Sequence, residues 1–255
     1  KDEQEALAYN FNTFIKDFMK KDVDFRMAIT TTDPTHRVDG RMMCNWKHLS
    51  SEYARKNRES FYSKFKDCIK VGTRGSGREK GLNAMGRFLD HYEYRDNRQE
   101  RFLREDAYLS VVFVSDEEDQ SYREVEHYLE RVREIKQQQG LVKIYSIVTT
   151  ELTGRRWETV GHRYMEASKD TAGKVASIKN DFHSVLGNFG GAMVDLTTSF
   201  ALSQEPESAI EVSVDGEIIE NGWAYNADTR SIKFNQDSTP RAGALIEVTY
   251  KTSAQ

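Results

Sequence analysis

The chain has no long apolar run, although hydrophobic residues make up 38% of its 255 residues. A membrane-spanning helix needs about 18 to 20 apolar residues in succession, so the sequence predicts no transmembrane segment. An excess of basic residues is also missing, since the formal net charge is −4 and the pI is about 6.0. The composition therefore predicts a globular protein with a charged surface and no nucleic-acid partner.

Cysteine is scarce as well, and Cys44 and Cys68 are the only two in the sequence. They lack the short C-x-x-C spacing of zinc and redox sites. Two interpretations stay open at this point. The cysteines are either a pair of free, buried thiols or a disulfide formed in an oxidising compartment after export.

Several catalytic and nucleotide-binding signatures are missing too. The glycine-rich stretch 72–77, GTRGSG, has neither the Gly-Lys-Ser/Thr ending nor the G-x-G-x-x-G spacing of a phosphate-binding loop. No two of the six histidines stand three or four residues apart, which argues against a histidine metal site. Ser115 and Asp116 have no evident histidine partner for a hydrolase triad, so the sequence predicts no enzyme.

What the sequence does contain is an alternation of helix and strand patterns over residues 1–200. This alternation predicts an α/β domain with a mostly parallel, doubly wound sheet and helices on both faces. The predicted helices cover 3–19, 52–69, 78–92, 121–138, 164–171 and 181–189, and the predicted strands cover 23–31, 107–115, 141–149 and 175–178. Gly190-Gly191 is expected to end the last helix.

The character of the sequence changes from Phe200 onward. Short alternating runs such as IEVSV, SIKF and ALIEVTY are separated by turn signals such as Asp215-Gly216 and Asn221-Gly222. Hairpin turns of this kind predict antiparallel strands. We therefore expect a small antiparallel β unit at residues 201–255, appended to the α/β domain.

The stretch VVFVSDEEDQS, residues 111–121, raises a question because a buried strand runs directly into four acidic residues. Ligands of open α/β sheets bind at the carboxyl ends of the strands. Three loops are expected at that edge, namely 30–33, 72–77 and 115–119. Their hydroxyl and carboxylate oxygens suit a hard divalent cation such as Mg²⁺. The side chains concerned are Thr31, Thr32, Asp33, Thr73, Ser76, Asp116, Glu118 and Asp119.

A simpler interpretation of the acidic run is that it caps a helix. Glu117, Glu118 and Asp119 precede a predicted helix, and carboxylates stabilise the positive end of a helix. Asp116 differs from them because it is the first residue after the buried run, and so it lies nearest the edge of the sheet.

Four stretches, read in order, resemble one family. VDFRMAITTTD, VGTRGSGREKGL, VVFVSDEED and GHRYMEASKDTAGKVASIKNDFHSVL are similar to the von Willebrand factor type A domain of bacterial cell-envelope proteins. SIKF and the pattern P-x-x-G-A-L-I-E-V-T-Y resemble the ending of that bacterial subtype. The resemblance implies a protein-binding or adhesion module with a metal-ion-dependent adhesion site.

The resemblance also implies particular roles for residues. Thr73 falls on the second-loop metal ligand, with Ser76 as the alternative register, and Asp116 falls on the third-loop ligand. The metal is Mg²⁺ or another divalent cation such as Ca²⁺ or Mn²⁺, and a carboxylate of a protein partner fills its last position. Asp33, Glu118 and Asp119 are expected to contact that partner.

The family's first metal loop, Asp-x-Ser-x-Ser, and the central strand before it are absent from the sequence. The metal is therefore conditional on that loop, and we expect either an upstream segment or a second polypeptide to supply the strand. The resemblance implies export to the periplasm, outer membrane or cell surface of a bacterium, with room for an upstream lipid anchor. A Cys44–Cys68 disulfide fits that setting. The alternative function is a structural scaffold with a degenerate, metal-free site, in which the β unit mediates assembly.

Overall fold

A computed structural model of the chain describes residues 2–21, 23–35, 38–72, 76–93, 102–104, 107–136, 141–152, 154, 159–227, 230–241 and 244–252. In these ranges the protein is a mixed α/β structure with a small parallel sheet and two antiparallel sheets. No helix within the described ranges combines the length and apolar character that crossing a membrane requires.

The described elements follow one another in an order close to the predicted one. The helices are α1 (Asp2–Lys20), α2 (Ser51–Lys56), α3 (Arg58–Ile69), α4 (Gly81–Glu93), α5 (Val125–Lys136), α6 (His162–Asp170) and α7 (Phe182–Thr197). The strands are β1 (Leu109–Ser115), β2 (Val142–Val148), β3 (Val175–Ser177), β4 (Ser199–Ala201), β5 (Glu211–Val214), β6 (Glu217–Ile218), β7 (Trp223–Asn226), β8 (Ser231–Phe234) and β9 (Ile246–Thr249). Short 3₁₀ turns lie at Trp46–Leu49 and Gln236–Ser238.

The parallel sheet has the order β1-β2-β3. β1 and β2 pair in parallel over seven residues, from Leu109 opposite Val142 to Ser115 opposite Val148. β3 pairs with the second half of β2. Continuous apolar runs predicted these strands, because a strand that is covered on both faces has no polar side. The described parallel sheet is nevertheless smaller than the doubly wound sheet that the sequence predicts.

Helices cover both faces of this sheet, as the pattern indicated. On one face, Val112 of β1 and Ile147 of β2 belong to a core that α1, α3 and α7 complete. On the other face, Phe113 and Ile144 pack with apolar residues of α4, α5 and α6. Alternate residues of one strand therefore enter opposite cores, as the strand period of two residues requires.

Helix α7 contradicts the prediction that Gly190-Gly191 ends a helix, because it continues through both glycines to Thr197. A Cβ atom at Gly190 would lie 2.4 Å from the carbonyl oxygen of Phe14 in α1. Glycine at this position therefore allows α1 and α7 to approach closely. A local rule for helix ends could not reveal this long-range contact.

The segment 23–31 is extended but forms no named strand, which also departs from the prediction. Its backbone bonds are scattered: Met27 N–H donates to Leu49 O at 2.9 Å, and Met43 N–H donates to Ile29 O at 2.8 Å. An isolated antiparallel bridge joins Arg26 and Ser50. The segment is therefore paired on the side of residues 43–51.

The region predicted as one helix at 52–69 is divided into α2 and α3 at Asn57. The N–H of Asn57 donates to Tyr53 O and ends α2, and the same residue is the N-cap of α3.

Cys68 of α3 forms a disulfide with Cys44. Of the two interpretations left open by the sequence, the structure adopts the disulfide.

The C-terminal region forms the antiparallel β unit that its hairpin signals predicted. One sheet has the order β4-β8-β7 and the other has the order β6-β5-β9. Val212 and Ile232 are fully buried in a core of their own, with Leu202 and Phe234. β4 begins at Ser199, directly after α7, so pairing in this unit starts two residues before residue 201.

Candidate functional site

Two of the three loops that the sequence places at the carboxyl edge of the sheet, 30–33 and 72–77, meet in their described parts, and residues 79–80 connect them to the end of β1. Lys80 N–H donates to Thr32 O at 2.8 Å, and Ser76 N–H donates to Asp33 Oδ1 at 3.3 Å. Gln120 N–H donates to Glu79 O at 2.8 Å, which ties the same region to the end of β1. Thr73, the predicted second-loop ligand, lies outside the described residues.

Asp33 orders two loops at this edge. Its Oδ1 atom accepts hydrogen bonds from Thr35 N–H at 3.0 Å and from Ser76 N–H. The first bond is an Asx turn, which fixes the chain after the extended segment. Ser76 in turn accepts a bond from Arg78 N–H at 3.1 Å. The half-buried Asp33 carboxylate and the Ser76 hydroxyl therefore both take part in local turns.

The end of β1 places a hydroxyl and a carboxylate side by side. The buried Ser115 hydroxyl lies 2.5 Å from Oε2 of Glu79 and accepts a bond from Glu117 N–H at 3.0 Å. Asp116 is exposed, and its backbone carbonyl accepts a bond from the Thr149 hydroxyl at 3.3 Å. The carboxylate of Asp116 therefore faces solvent at the carboxyl end of the central strands.

Glu79 is a residue of this edge that sequence reasoning missed. It is half-buried, and burial raises the pKa of its carboxyl group. Hydrogen bonds from Ser115 and Thr32 oppose that rise in pKa, while the charges of Glu117 and Asp116 add to it. Nothing in its local sequence distinguishes Glu79 from an ordinary charged residue ahead of α4. Its role depends on the fold bringing β1 beside it.

Glu117 is a second carboxyl group at this edge whose pKa its neighbours shift. Burial and the charge of Asp116 raise the pKa of Glu117. The buried Lys80 places its ammonium group over the ring of Tyr122, 3.4 Å from the ring centroid. Glu79, Asp116 and Glu117 therefore form a like-charged group, which we call the acidic edge.

Glu118 and Asp119 have structural roles in their immediate surroundings. Glu118 accepts bonds from the N–H groups of His162 and Arg163 at 3.0 and 3.2 Å and so caps α6. Asp119 is 3% exposed, accepts a bond from Leu82 N–H at the start of α4 at 3.1 Å, and pairs with Arg163 Nε at 2.9 Å. These contacts favour the capping interpretation, although the capped helices are α4 and α6 rather than the following helix α5.

The oxygen atoms at the acidic edge fit a hard divalent cation in their chemistry, because Mg²⁺, Mn²⁺ and Ca²⁺ prefer carboxylate and hydroxyl ligands. Three mutually repelling carboxylates beside two hydroxyls also favour a cation. However, no group of three metal-binding side chains of the His, Cys, Asp or Glu type already converges in the described part of the chain. A cation at this edge would therefore depend on hydroxyls, water or further ligands.

A separate cleft of about 460 Å³ lies at the opposite edge of the sheet, near the amino ends of β2 and β3. Lys143, Tyr145, Lys174 and Asp195 are among its lining residues. It contains none of the predicted site residues, and ligands of such sheets bind at the other edge. The acidic edge therefore remains the candidate site.

No family model, curated protein or solved structure matches the chain.

Proposed function

We propose that the chain is a protein-binding module of the von Willebrand A type. In this proposal it binds a protein partner through a divalent cation held at the acidic edge, in a doubly wound domain. The activity is binding, and no covalent chemistry is involved. The support comes from the sequence resemblance and from the geometry of the acidic edge.

The observation that carries the proposal is the position of Glu79. It is half-buried beside Ser115 and Thr32, and the charges of Asp116 and Glu117 act on it. A half-buried carboxylate next to two others is unfavourable unless a positive charge compensates for it. The carboxyl edge of a parallel sheet is also where α/β proteins bind their ligands. A bound cation would therefore explain why Glu79 lies beside two other carboxylates, whereas this arrangement by itself destabilises the fold.

The residues have distinct roles in this proposal. Asp116 is the exposed carboxylate that would hold the cation, and Thr73 is its predicted partner from the second loop. Glu79 would compensate the charge of the cation, and the hydroxyls of Ser115 and Thr32 hold Glu79 in place. A bound cation offers an open coordination position to a carboxylate of the partner.

The disulfide between Cys44 and Cys68 supports the proposed setting. Disulfides persist in oxidising compartments, which include the periplasm and the cell surface. We therefore propose an exported protein of a bacterial cell envelope, as the resemblance implies.

Titration calorimetry with MgCl₂ tests the function. We expect binding in the millimolar range, because the described ligands are few. Asp116→Asn and Thr73→Ala should each weaken the binding by about tenfold or more, since the first removes the negative charge of a ligand and the second removes a ligand hydroxyl. Glu130→Gln is the matched control, because Glu130 is an exposed acidic residue of α5 outside the acidic edge, and it should bind like the wild type.

The proposal is wrong if a folded wild-type protein gives no binding heat with Mg²⁺, Ca²⁺ and Mn²⁺. It is also wrong if Asp116→Asn binds as well as Glu130→Gln does. A circular dichroism spectrum of each variant confirms that the fold is intact before the comparison is made.

The second candidate is a structural scaffold with a metal-free edge. Two large apolar side chains of the β unit, Ile218 and Leu245, are each 61% exposed. They lie in or beside the sheet β6-β5-β9, where an apolar surface favours contact with another protein. An absence of binding heat, together with assembly that depends on these two residues, would favour the scaffold.

A further inference from the structure

The cleft of about 460 Å³ at the amino ends of β2 and β3 lies beside α7, the helix that covers this face of the sheet. Small residues of α7 form one of its walls, at Gly187, Gly191 and Ala192. The volume is that of a pocket for a small organic molecule. Because α/β sheets usually bind ligands at the opposite edge, a function for this cleft requires evidence from its own side chains.

Tyr145 gives the first such evidence. Its ring packs against Phe189 of α7, with the ring centroids 5.2 Å apart, and its side chain is only 2% exposed. In the described part of the chain the Tyr145 hydroxyl has no hydrogen-bond partner. The fully enclosed hydroxyls without a partner are those of Thr30 and Tyr225, so the Tyr145 hydroxyl is reached by solvent, through the cleft that it lines. Burial raises the pKa of Tyr145 to about 12, which keeps this hydroxyl a neutral donor.

Lys143 and Lys174 bring positive charge to the same cleft. Lys143 stands two residues before Tyr145 on β2 and therefore on the same face of the sheet. Lys174 lies next to Tyr145 on the β3 side, because Ser146 N–H donates to Lys174 O at 3.0 Å. Neither ammonium group forms an ion pair with the described residues.

The positive charge in the cleft has no counterion there. Asp195 is the acidic residue of the lining, and it pairs with Lys233 of β8 at 3.6 Å. Lys143 is half-buried, and burial lowers its pKa without a described carboxylate to oppose the change. A charge that loses water without gaining a partner is unfavourable. A bound anion would compensate for it.

We propose that this cleft binds a small organic anion, whose carboxylate or phosphate group accepts hydrogen bonds from Lys143, Lys174 and the Tyr145 hydroxyl. Ammonium and phenol groups are donors, and an oxyanion requires donors. Ala192 and Leu196 offer apolar contact to the rest of the ligand. The inference does not rest on the proposed cation site, which lies at the other edge of the sheet.

A ¹H–¹⁵N NMR titration with phenyl phosphate and with benzoate tests the inference, in the presence of EDTA so that no cation contributes. We expect dissociation constants in the low millimolar range, with shifts concentrated at the amides of residues 143–145, 172–174 and 187–196. Benzyl alcohol has the ring without the charge and should bind at least about tenfold more weakly. The anion that binds more tightly identifies the preferred oxyanion.

Two substitutions remove the proposed donors. Tyr145→Phe keeps the ring on Phe189 and removes only the hydroxyl, whereas Lys143→Gln removes the charge. Each should weaken the binding of phenyl phosphate by at least about fivefold. Lys64→Gln is the matched control, because Lys64 is an exposed lysine of α3 outside the cleft, and it should bind like the wild type.

The melting temperature separates a binding role from a structural one. Without ligand, Tyr145→Phe and Lys143→Gln should melt at the same temperature as the wild type or higher, because each removes a buried or half-buried polar group that has no partner. Saturating phenyl phosphate should raise the melting temperature of the wild type more than that of either variant. Circular dichroism measures both.

Four results would overturn the inference. The cleft binds no anion if neither compound shifts these amides in the folded wild type well above the expected dissociation constant. Equal binding by Lys143→Gln and Lys64→Gln would show non-specific attachment to surface lysines. Equal affinity for inorganic phosphate and phenyl phosphate would exclude an organic ligand. Lower melting temperatures of both variants without ligand would show that the two side chains serve the fold instead.

Discussion

Asp24 shows how a single carboxylate connects distant parts of this chain. Its Oδ1 atom accepts a bond from the Ser51 hydroxyl at 2.7 Å, and its Oδ2 atom pairs with Arg104. Partial burial raises the pKa of Asp24, but the Ser51 hydrogen bond and the charge of Arg104 outweigh it and lower the pKa overall. The ionised carboxylate therefore stabilises the contact of segment 23–31 with the start of α2 and with Arg104.

The lowered pKa of Asp24 gives a pH prediction. A carboxyl group with a folded pKa below its unfolded value adds stability above the unfolded value, about 4, and loses it as the pH falls through the folded value. The melting temperature of Asp24→Asn should therefore lie below that of the wild type at pH 7. The difference should vanish as the pH falls well below 4.

The gap in melting temperature should be modest, because the side chain of Asp24 is more than half exposed. Asp237→Asn, at an exposed acidic residue of the β unit, is the control and should show no such gap. An Asp24→Asn difference that persists unchanged at pH 2 would contradict the account.

Also at the scale of residues, the sequence alone distinguished the roles of the four acidic residues after β1 only in part. The order along the strand predicted that Asp116 differs from the others, and it is the exposed member at the strand end. That Asp119 caps α4 and pairs with Arg163 depends on residues 37 and 44 positions away in the chain. No local pattern contains that information.

At the scale of elements, the packing of α1 against α7 depends on one glycine. Gly190 faces Phe14 O so closely that a Cβ atom would lie 2.4 Å from it, whereas a Cβ atom at Gly191 would meet nothing closer than 3.9 Å. These neighbouring positions form a matched pair. They share a helix and a residue type but differ in the space around them.

Gly190→Ala should destabilise the protein by about 1–3 kcal/mol, because the helices must move apart. Gly191→Ala should be neutral or should stabilise it by up to about 1 kcal/mol, since alanine is the better helix former. Urea denaturation at pH 7 measures both free energies of unfolding. Equal effects of the two substitutions would show that α1 and α7 do not pack as described.

The disulfide connects the loop at Cys44 to helix α3 across 24 residues. Closing a loop of this length restricts the unfolded chain and stabilises the fold by about 3 kcal/mol in the chain-entropy model. Reduction should therefore lower the free energy of unfolding, measured in guanidinium chloride with and without a phosphine reductant. The Cys44→Ser, Cys68→Ser double variant should not respond to the reductant.

Free-thiol labelling provides the opposing outcome for the disulfide. If both cysteines react in freshly purified, native protein, the bond is absent. The argument for an oxidising compartment would then lose its support.

At the scale of the whole molecule, the period of the apolar residues predicted most of the architecture. Strands β1 and β2, with helices α1, α4 and α5, were predicted within a few residues, because each buries a continuous face or stripe. Segment 23–31 has the alternation of a strand, yet forms only isolated bridges. Alternation shows that a segment suits a sheet, but a strand also requires a continuous ladder of backbone hydrogen bonds with a neighbouring strand, and the described bonds of segment 23–31 are scattered.

The candidate site, like the fold, was predicted from the sequence only in part. The carboxyl edge and Asp116 were predicted because strand ends can be located from the sequence. Glu79 was not predicted, because its contact with Ser115 spans 36 residues and arises only in the fold. Thr73 and the metal remain predictions.

Crystals grown with MnCl₂ and measured for anomalous scattering test the central claim most directly. The account predicts an anomalous peak at the carboxyl edge of the parallel sheet, within about 2.2 Å of an Asp116 carboxylate oxygen and near Glu79. A well-ordered acidic edge without a peak, or a peak elsewhere in the molecule, would contradict the account.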